Sequence, residues 1–277
     1  MIALKENLRK FPVTFEILRK IYRFVLPVPL SEKLFELSRS VYRLFIPVPV
    51  PENPIQTRVR ELQTHIKKAF RRRTPVFFLQ VGSNDGLRYD PLHPFIVNNK
   101  NWTGIFVEPV DLMFQRLQKN YDFSERFIFE NVAIGSTTET RKFYYVSENA
   151  KELGDSVSSW YDQIGSFDKA HILKHCTGRN SRLEPYIVEQ EVKCVRLQDI
   201  LDKHRVKKID LIHIDAEGFD YEVLSQIDFK KYKPSIVIYE HYHLSVDEKL
   251  KAESILQTHG YTVTELEEDT LALLRAS

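Results

Sequence analysis

Glycine, cysteine and methionine are scarce in this chain, and long apolar runs are absent. Two cysteines, Cys176 and Cys194, make no disulfide framework for 277 residues, and the seventeen residues between them fit no metal-ligand spacing. A reducing, cytoplasmic setting is therefore expected. No stretch reaches the roughly 18 apolar residues of a membrane span. The opening MIALKENLRKFPV has no continuous apolar core, so neither a transmembrane segment nor a signal peptide is expected. An excess of one charge is lacking too: the net charge of +2 attracts no polyelectrolyte, and no nucleic-acid partner is expected. What is present, 43% hydrophobic and 28% charged residues, suits a globular protein long enough for one large core or two modest ones.

The N-terminal stretch stands apart. FEILRKIYRFVLPVPL (residues 15–30) and FELSRSVYRLFIPVPV (residues 35–50) align at an offset of twenty, with Phe, Glu, Arg, Tyr, Arg and Pro-Val-Pro recurring. Each copy reads as an amphipathic helix stopped by its prolines. In the first, Ile17, Leu18, Ile21, Tyr22 and Val25 share a face. Such a stripe must be buried against something. The surfaces open to it are the chain's own second domain, another subunit or an anionic membrane; protein contact is expected, with self-association through these helices, giving a homo-oligomer, ahead of a foreign partner. Residues 47–54, with four prolines, read as a linker. The expected division is a helical extension over 1–54 and a second domain over 55–277.

That second domain opens with a helical pattern over 55–70, followed by Arg71-Arg72-Arg73, a solvated basic helix end. From there short apolar runs alternate with helical patterns. Strands are expected at 76–81, 104–107, 127–134, 189–196, 209–214 and 235–239, with 142–146 extending the sheet as a hairpin. Helices are expected at 112–121, 221–227 and 247–259. This alternation predicts an α/β fold with a doubly wound, mostly parallel sheet. GYTVTELEEDTLALLRA at the end reads as an antiparallel hairpin that closes the sheet. Residues 147–186 are polar and irregular, as binding loops often are.

With only nine glycines available, two fall together in FFLQVGSNDG, at the end of the first strand. Gly82 permits a sharp turn and close approach of a ligand to backbone. Asn84 and Asp85 add short polar groups, and Gly86 keeps the turn open. Open α/β sheets bind ligands at this carboxyl edge. The second strand ends at Glu108, well placed to accept both hydroxyls of a ribose. Together these point to an adenosine-type ligand. A dinucleotide site would carry G-x-G-x-x-G, but Asn84 stands at the second glycine position, and a terminal hairpin is foreign to the usual dinucleotide fold. Both points favour S-adenosylmethionine over a nicotinamide cofactor.

LQVGSNDG, IFVEP, ENVAIG and IDLIHIDAEGFDYEVL together resemble the FkbM-type methyltransferase family, over residues 77–274 and excluding the repeat. The resemblance implies a class I methyltransferase, Rossmann-like fold, S-adenosylmethionine as donor, and a hydroxyl acceptor on a sugar, glycan or natural product. By position, Gly82, Asn84 and Gly86, with Ser83 and Asp85 of the same loop, would cradle the donor's methionine moiety. Glu108 would bind ribose, and Asn131, Val132 and Ala133 would lie against adenine. Ser158 in GDSVSSW would face the donor. Asp215, Glu217 and Gly218 would form the floor between donor and acceptor. The family often has Lys where this chain has His213, so no cationic role carries over to it.

The chemistry needs alignment of acceptor oxygen, methyl carbon and sulfur, plus loss of a proton from the acceptor. Asp215, His241 and His243 are the candidate catalytic groups. Metal-free chemistry is favoured, with a divalent ion on Asp215, Glu240 and His241 as the other option. Two further readings compete with an O-methyltransferase. One is a nicotinamide-dependent oxidoreductase. The other is a non-catalytic methyltransferase-like module that docks through its N-terminal repeat.

Overall fold

The computed structural model of the chain describes residues 54–70 and 75–275. The expectations for the repeat, for the extension and for the basic run at 71–73 lie outside the described residues. In chain order the elements begin with α1 (Pro54–Ala69), β1 (Val76–Val81), α2 (His93–Asn98), β2 (Trp102–Val107), α3 (Asp111–Asn120) and β3 (Phe127–Glu130). Next come β4 (Ala133–Ile134), β5 (Glu139–Val146), β6 (Gly165–Ser166), α4 (Lys169–His175), β7 (Ile187–Val195) and α5 (Leu197–Lys203). The chain then runs through β8 (Leu211–Ile214), α6 (Asp220–Ser225), β9 (Ile236–Glu240), α7 (Val246–Thr258), β10 (Tyr261–Leu266) and β11 (Asp269–Leu274).

Seven strands form one sheet in the order β10-β11-β9-β8-β1-β2-β3. The pairs β1–β2, β1–β8, β2–β3 and β8–β9 are parallel, and only β11 runs against its neighbours. The terminal hairpin is present, but it is the last strand that inserts beside β9, leaving β10 at the edge. This order, with its one reversed strand, is the class I methyltransferase arrangement.

Strand side chains alternate between faces, and here both faces are covered. Leu79, Val81, Ile105, Val107, Ile212, Ile214 and Val237 pack with α5, α6 and α7 through Leu197, Ile200, Val223, Leu224, Ala252 and Leu256. Val76, Phe78, Phe106, Leu211, Ile236 and Ile238 pack on the other face with Leu62, Ile66 and Phe70 of the α1 segment and Leu117 of α3. Helix α1 ends where the chain leads into β1, so its first turns lie toward the carboxyl ends of the parallel strands. That places Arg58 at the ligand-binding edge.

A second, four-stranded sheet, β4-β7-β5-β6, corrects the sequence reading. Residues 127–134 are not one strand: β3 ends at Glu130, and β4 pairs instead with β7 (Ala133 with Cys194). Strands β5 and β7 pair antiparallel with each other and not with the main sheet. Both free cysteines sit in this part of the chain, Cys194 in β7 and Cys176 just after α4. No helix among the described residues is long and apolar enough to cross a membrane.

Candidate active site

The carboxyl ends of β1, β2, β8 and β9 open into a cavity of about 470 Å³. Arg58, the segment from Trp160 to Phe167, Phe143 and Tyr145 of β5, and Glu268 of the last turn complete its wall. Seven carboxyl groups line it (Asp90, Glu108, Asp162, Asp215, Glu217, Glu240 and Glu268) against two guanidiniums, Arg58 and Arg88.

One end is built from the glycine loop. Gly82 has φ of +74°, and a Cβ there would lie 1.7 Å from the Asp215 carbonyl oxygen. Its missing side chain thus makes room for the neighbouring backbone rather than for a ligand. The N–H groups of Gly82 and Ser83 both donate to the Val107 carbonyl, at 3.0 and 3.1 Å. Glu108 is buried and accepts hydrogen bonds from Asn84 N (2.8 Å) and Val110 N (2.9 Å). Burial pushes its carboxyl up to about 7, with Asp215 and Asp85 adding to the rise against these two hydrogen bonds. Each oxygen keeps a second lone pair for a ligand hydroxyl. Gly82, Ser83, Asn84, Glu108, Val132 and Ala133 all line the cavity.

Other sequence candidates lie elsewhere. Gly86 (φ +66°) faces α3, where a Cβ would meet Leu117 and Tyr121 at 2.5 and 2.7 Å. Asp85 uses Oδ1 on the Leu87 and Arg88 N–H groups and Oδ2 on the Arg88 guanidinium. Asn131 donates to the Glu108 and Pro109 carbonyls. Ser158 donates its backbone N–H to Asn180. These four shape the walls without lining the cavity. In their place the structure supplies Asp90, five residues past Asp85. It is buried, it lines the cavity, and one oxygen takes the Leu92 N–H; Oδ2 makes no hydrogen bond of good geometry, with the Gln80 side chain and the His93 N–H as weaker donors to the carboxyl. Burial pushes its carboxyl up to about 7.

The opposite end gathers around Asp215, which follows β8 and lines the cavity. Its loop is held from below by Asp220, whose oxygens accept from Ala216 N and Gly218 N at 3.2 Å each. Burial raises the carboxyls of Asp215, Glu217, Asp220 and Glu240, and their mutual repulsion adds to the rise in the last three. Burial opposes the charge on Arg58, yet Asp269, Asp215, Glu268 and Glu240 together hold its pKa above the usual value. Arg58 pairs directly with Glu268 and lies 3.3 Å from Asp269. His213 is buried beside Gln80, its partner across the β1–β8 register, with Gln80 Nε2 donating to Nδ1 at 3.2 Å. Burial, helped by Arg58, lowers His213 to about 3, so it is neutral.

His243 lines the cavity, but His241 does not. His241 turns to the far side of β9, is buried there, and meets Thr270 Oγ1 at 2.9 Å through Nδ1. Glu240 does reach the cavity, and its Oε2 is buried without a hydrogen-bond partner. The expected trio Asp215, Glu240 and His241 is therefore not gathered around one point, because consecutive residues at a strand end face opposite sides. A different set is gathered: His171 and His175 of α4, Glu217 and His243, whose ligand atoms lie within 4.8 Å of one another. The sequence signal was present in HILKH, two histidines one helical turn apart. It lay inside a stretch read as irregular.

The fold and the acidic cavity at its carboxyl edge define a methyltransferase-type α/β domain. Residues 80–266 match the methyltransferase FkbM domain, which is more than half of the chain. The chain belongs to the FkbM methyltransferase family. Among solved structures, similarity is found to a precorrin-6y C5,15-methyltransferase from Geobacter metallireducens, at 11% identity and a TM-score of 0.37, covering 78% of this chain and 88% of that one. A human methyltransferase 10 domain containing protein is similar at 13% identity and a TM-score of 0.42, covering 96% of this chain and all of that one. No curated protein matches the chain.

Proposed function

We propose that the chain is an S-adenosylmethionine-dependent O-methyltransferase acting on a hydroxyl of a sugar, glycan or natural-product acceptor. The observation that carries the donor assignment is the carboxyl-rich lining of the cavity, seven carboxyls against two guanidiniums. A nicotinamide dinucleotide would bring an anionic pyrophosphate into that field. S-adenosylmethionine brings a sulfonium and an ammonium against one carboxylate, and a nearby cation favours the charged form of the raised carboxyls where a pyrophosphate would oppose it. Ribose hydroxyls would bind Glu108, and adenine would lie against Val132 and Ala133. The Gly82–Asn84 backbone would hold the methionine moiety, with its ammonium on Oδ2 of Asp90.

Methyl transfer then needs an acceptor oxygen in line with the methyl–sulfur bond and a group to take its proton. Asp215 is assigned that proton. It sits at the strand end between the donor loop and the Glu217–His243 wall, and its raised pKa makes it a better base than an ordinary aspartate. The apolar lining from Phe143, Trp160, Ile164 and Phe167 suits the body of an organic acceptor.

Calorimetry with S-adenosylhomocysteine and with NAD+ tests the donor, and a screen of hydroxylated acceptors with labelled donor tests the transfer. Tight binding of the first ligand alone is expected. Preference for NAD+ would sink the assignment, and S-adenosylhomocysteine binding without transfer to any hydroxyl would remove the O-methyl part.

A further inference from the structure

We infer that His171, His175, Glu217 and His243 form a binding site for a divalent first-row transition metal ion, of the zinc type, in the wall of the same cavity. Three segments far apart in sequence converge to build it. Helix α4 supplies His171 and His175 at a spacing of four, which puts both imidazoles on one face. The loop after β8 supplies Glu217, a non-glycine residue held at φ of +48°. The loop after β9 supplies His243. Gly218, at φ of +96°, follows Glu217 in a left-handed backbone conformation that other residues rarely adopt, and packs against His243.

Two of the distances match a ligand set, and all four ligand atoms lie within 4.8 Å of one another. Glu217 Oε2 lies 3.2 Å from His171 Nε2 and 3.5 Å from His243 Nε2. The edge of a tetrahedron of ligands around zinc, with bonds of roughly 2.0–2.1 Å, is about 3.3 Å. The three rings meet at centroid distances of 4.3 Å (His171–His243), 5.0 Å (His171–His175) and 5.4 Å (His175–His243).

A plain hydrogen-bonded cluster accounts for less of this. A carboxylate oxygen needs one or two donors, which His171 and His243 already supply, and this leaves the third imidazole within 4.8 Å unexplained. Beside the cluster, Glu240 Oε2 is buried without a partner, 3.9 Å from His243 Nε2. An unpaired buried carboxylate oxygen is costly, and a water on a bound cation would satisfy it. Three imidazoles with one carboxylate select zinc, cobalt, iron or nickel over magnesium and calcium, which prefer all-oxygen shells. Asp220, bonded to the backbone on either side of Glu217, fixes that ligand's loop as outer-shell groups do in metal sites.

His175, Glu217 and His243 line the cavity beside Asp215, so a bound cation would face the acceptor. Its role, which rests on the methyl-transfer reading above, would be to hold the acceptor oxygen and favour its deprotonation. The site itself stands apart from that reading.

Tag-free full-length protein, stripped with chelator, is titrated with Co²⁺ and read by metal analysis and visible absorption. Expected is one Co²⁺ per chain with d–d bands of nitrogen-rich coordination, displaced by Zn²⁺ and untouched by millimolar Mg²⁺. His175→Ala, His243→Ala and the near-isosteric Glu217→Gln should each weaken Co²⁺ binding at least tenfold while keeping a cooperative thermal melt and a wild-type far-UV circular dichroism spectrum, which shows that they fold. Substoichiometric Co²⁺ on the wild type, or stoichiometric binding that all three substitutions leave unchanged, overturns the site. Co²⁺ binding without S-adenosylhomocysteine binding would leave the site standing and the donor assignment refuted; the reverse pattern would do the opposite.

Discussion

Asp90 concentrates the conflict between stability and ligand binding in one side chain. Its carboxyl is buried, one oxygen makes no hydrogen bond of good geometry, and burial moves it from the ordinary 3.8 to about 7. A carboxyl raised on folding contributes stability that is fully present below its unfolded pKa and lost as pH rises through the folded one. The ligand-free chain should therefore lose stability from this group between about pH 4 and pH 7. Asp90→Asn keeps the oxygen that accepts from Leu92 N and removes the charge. At pH 8 it should be more stable than wild type, by on the order of 1–4 kcal/mol, with the gap closing toward pH 4. The same substitution should weaken S-adenosylhomocysteine by about 1–3 kcal/mol, the range for losing a charged hydrogen-bond partner. Denaturant melts at several pH values together with calorimetry decide it. A destabilised variant at pH 8 would show that the carboxylate is paired after all. His213 titrates with the opposite sign: lowered to about 3 by burial, it loses stability as pH falls below 6.5, so the comparison is cleanest on the alkaline side.

Glu108 was legible in sequence because a strand end with an acid has a known meaning, and its place in the cavity follows from that. Glu108→Ala removes the acceptor for both Asn84 N and Val110 N. It should cost affinity for S-adenosylhomocysteine by about 1–3 kcal/mol and lower the melting temperature as well. Unchanged affinity would move the ribose elsewhere. Asp90 and the choice of His243 over His241 were not legible. Which way a side chain faces at the end of a strand depends on how the chain leaves the sheet, and periodicity stops there.

At the scale of elements, the second sheet and its approach segment decide how the cavity is walled. Asp162 joins three parts of the chain. Its Oδ2 lies 2.6 Å from Arg88 Nη2, and 3.5 Å from Arg116 Nη1. Arg88 in turn pairs with Asp85 of the glycine loop at 3.2 Å, and Arg116 of α3 with Glu148 at 2.6 Å. Asp162 is buried while both arginines are about one-third exposed, so solvent screens the pairs and the stabilisation is modest, on the order of 1–2 kcal/mol. Asp162→Asn should leave the main sheet intact but speed amide exchange over residues 158–168. Exchange unchanged there would show that apolar packing of Val157, Ile164 and Leu183 holds the segment alone. Strands β5 and β7 were visible as strands, yet their sheet was not. A strand's own pattern tells how it is buried, not which neighbour it pairs with. The one-sided burial of β7, with exposed Glu189, Glu191 and Lys193, separates it from the strands buried on both faces.

For the whole molecule, the alternation of strands and helices announced the doubly wound sheet, because both faces must be covered. The insertion of β11 beside β9 is set by contacts distant in sequence. The contribution of α1 is likewise tertiary: its apolar spacing was plain, but its cover over one face and the delivery of Arg58 to the cavity were not. Two truncations separate these roles. A chain beginning at residue 54 keeps every residue of the described cores, from Leu62 to Leu274, and should melt cooperatively and bind S-adenosylhomocysteine. A chain beginning at residue 75 loses the buried Leu62, Ile66 and Phe70. At about 1.5–3 kcal/mol for each fully buried apolar side chain, that loss approaches the whole stability of a domain. It should lack a cooperative melt, and a cooperative one would show that α1 is dispensable cover. Light scattering on the chain beginning at residue 54 also tests the proposal that the Phe-Glu…Pro-Val-Pro repeat drives self-association. A drop in mass on removing residues 1–53 supports it, and equal monomer masses count against it.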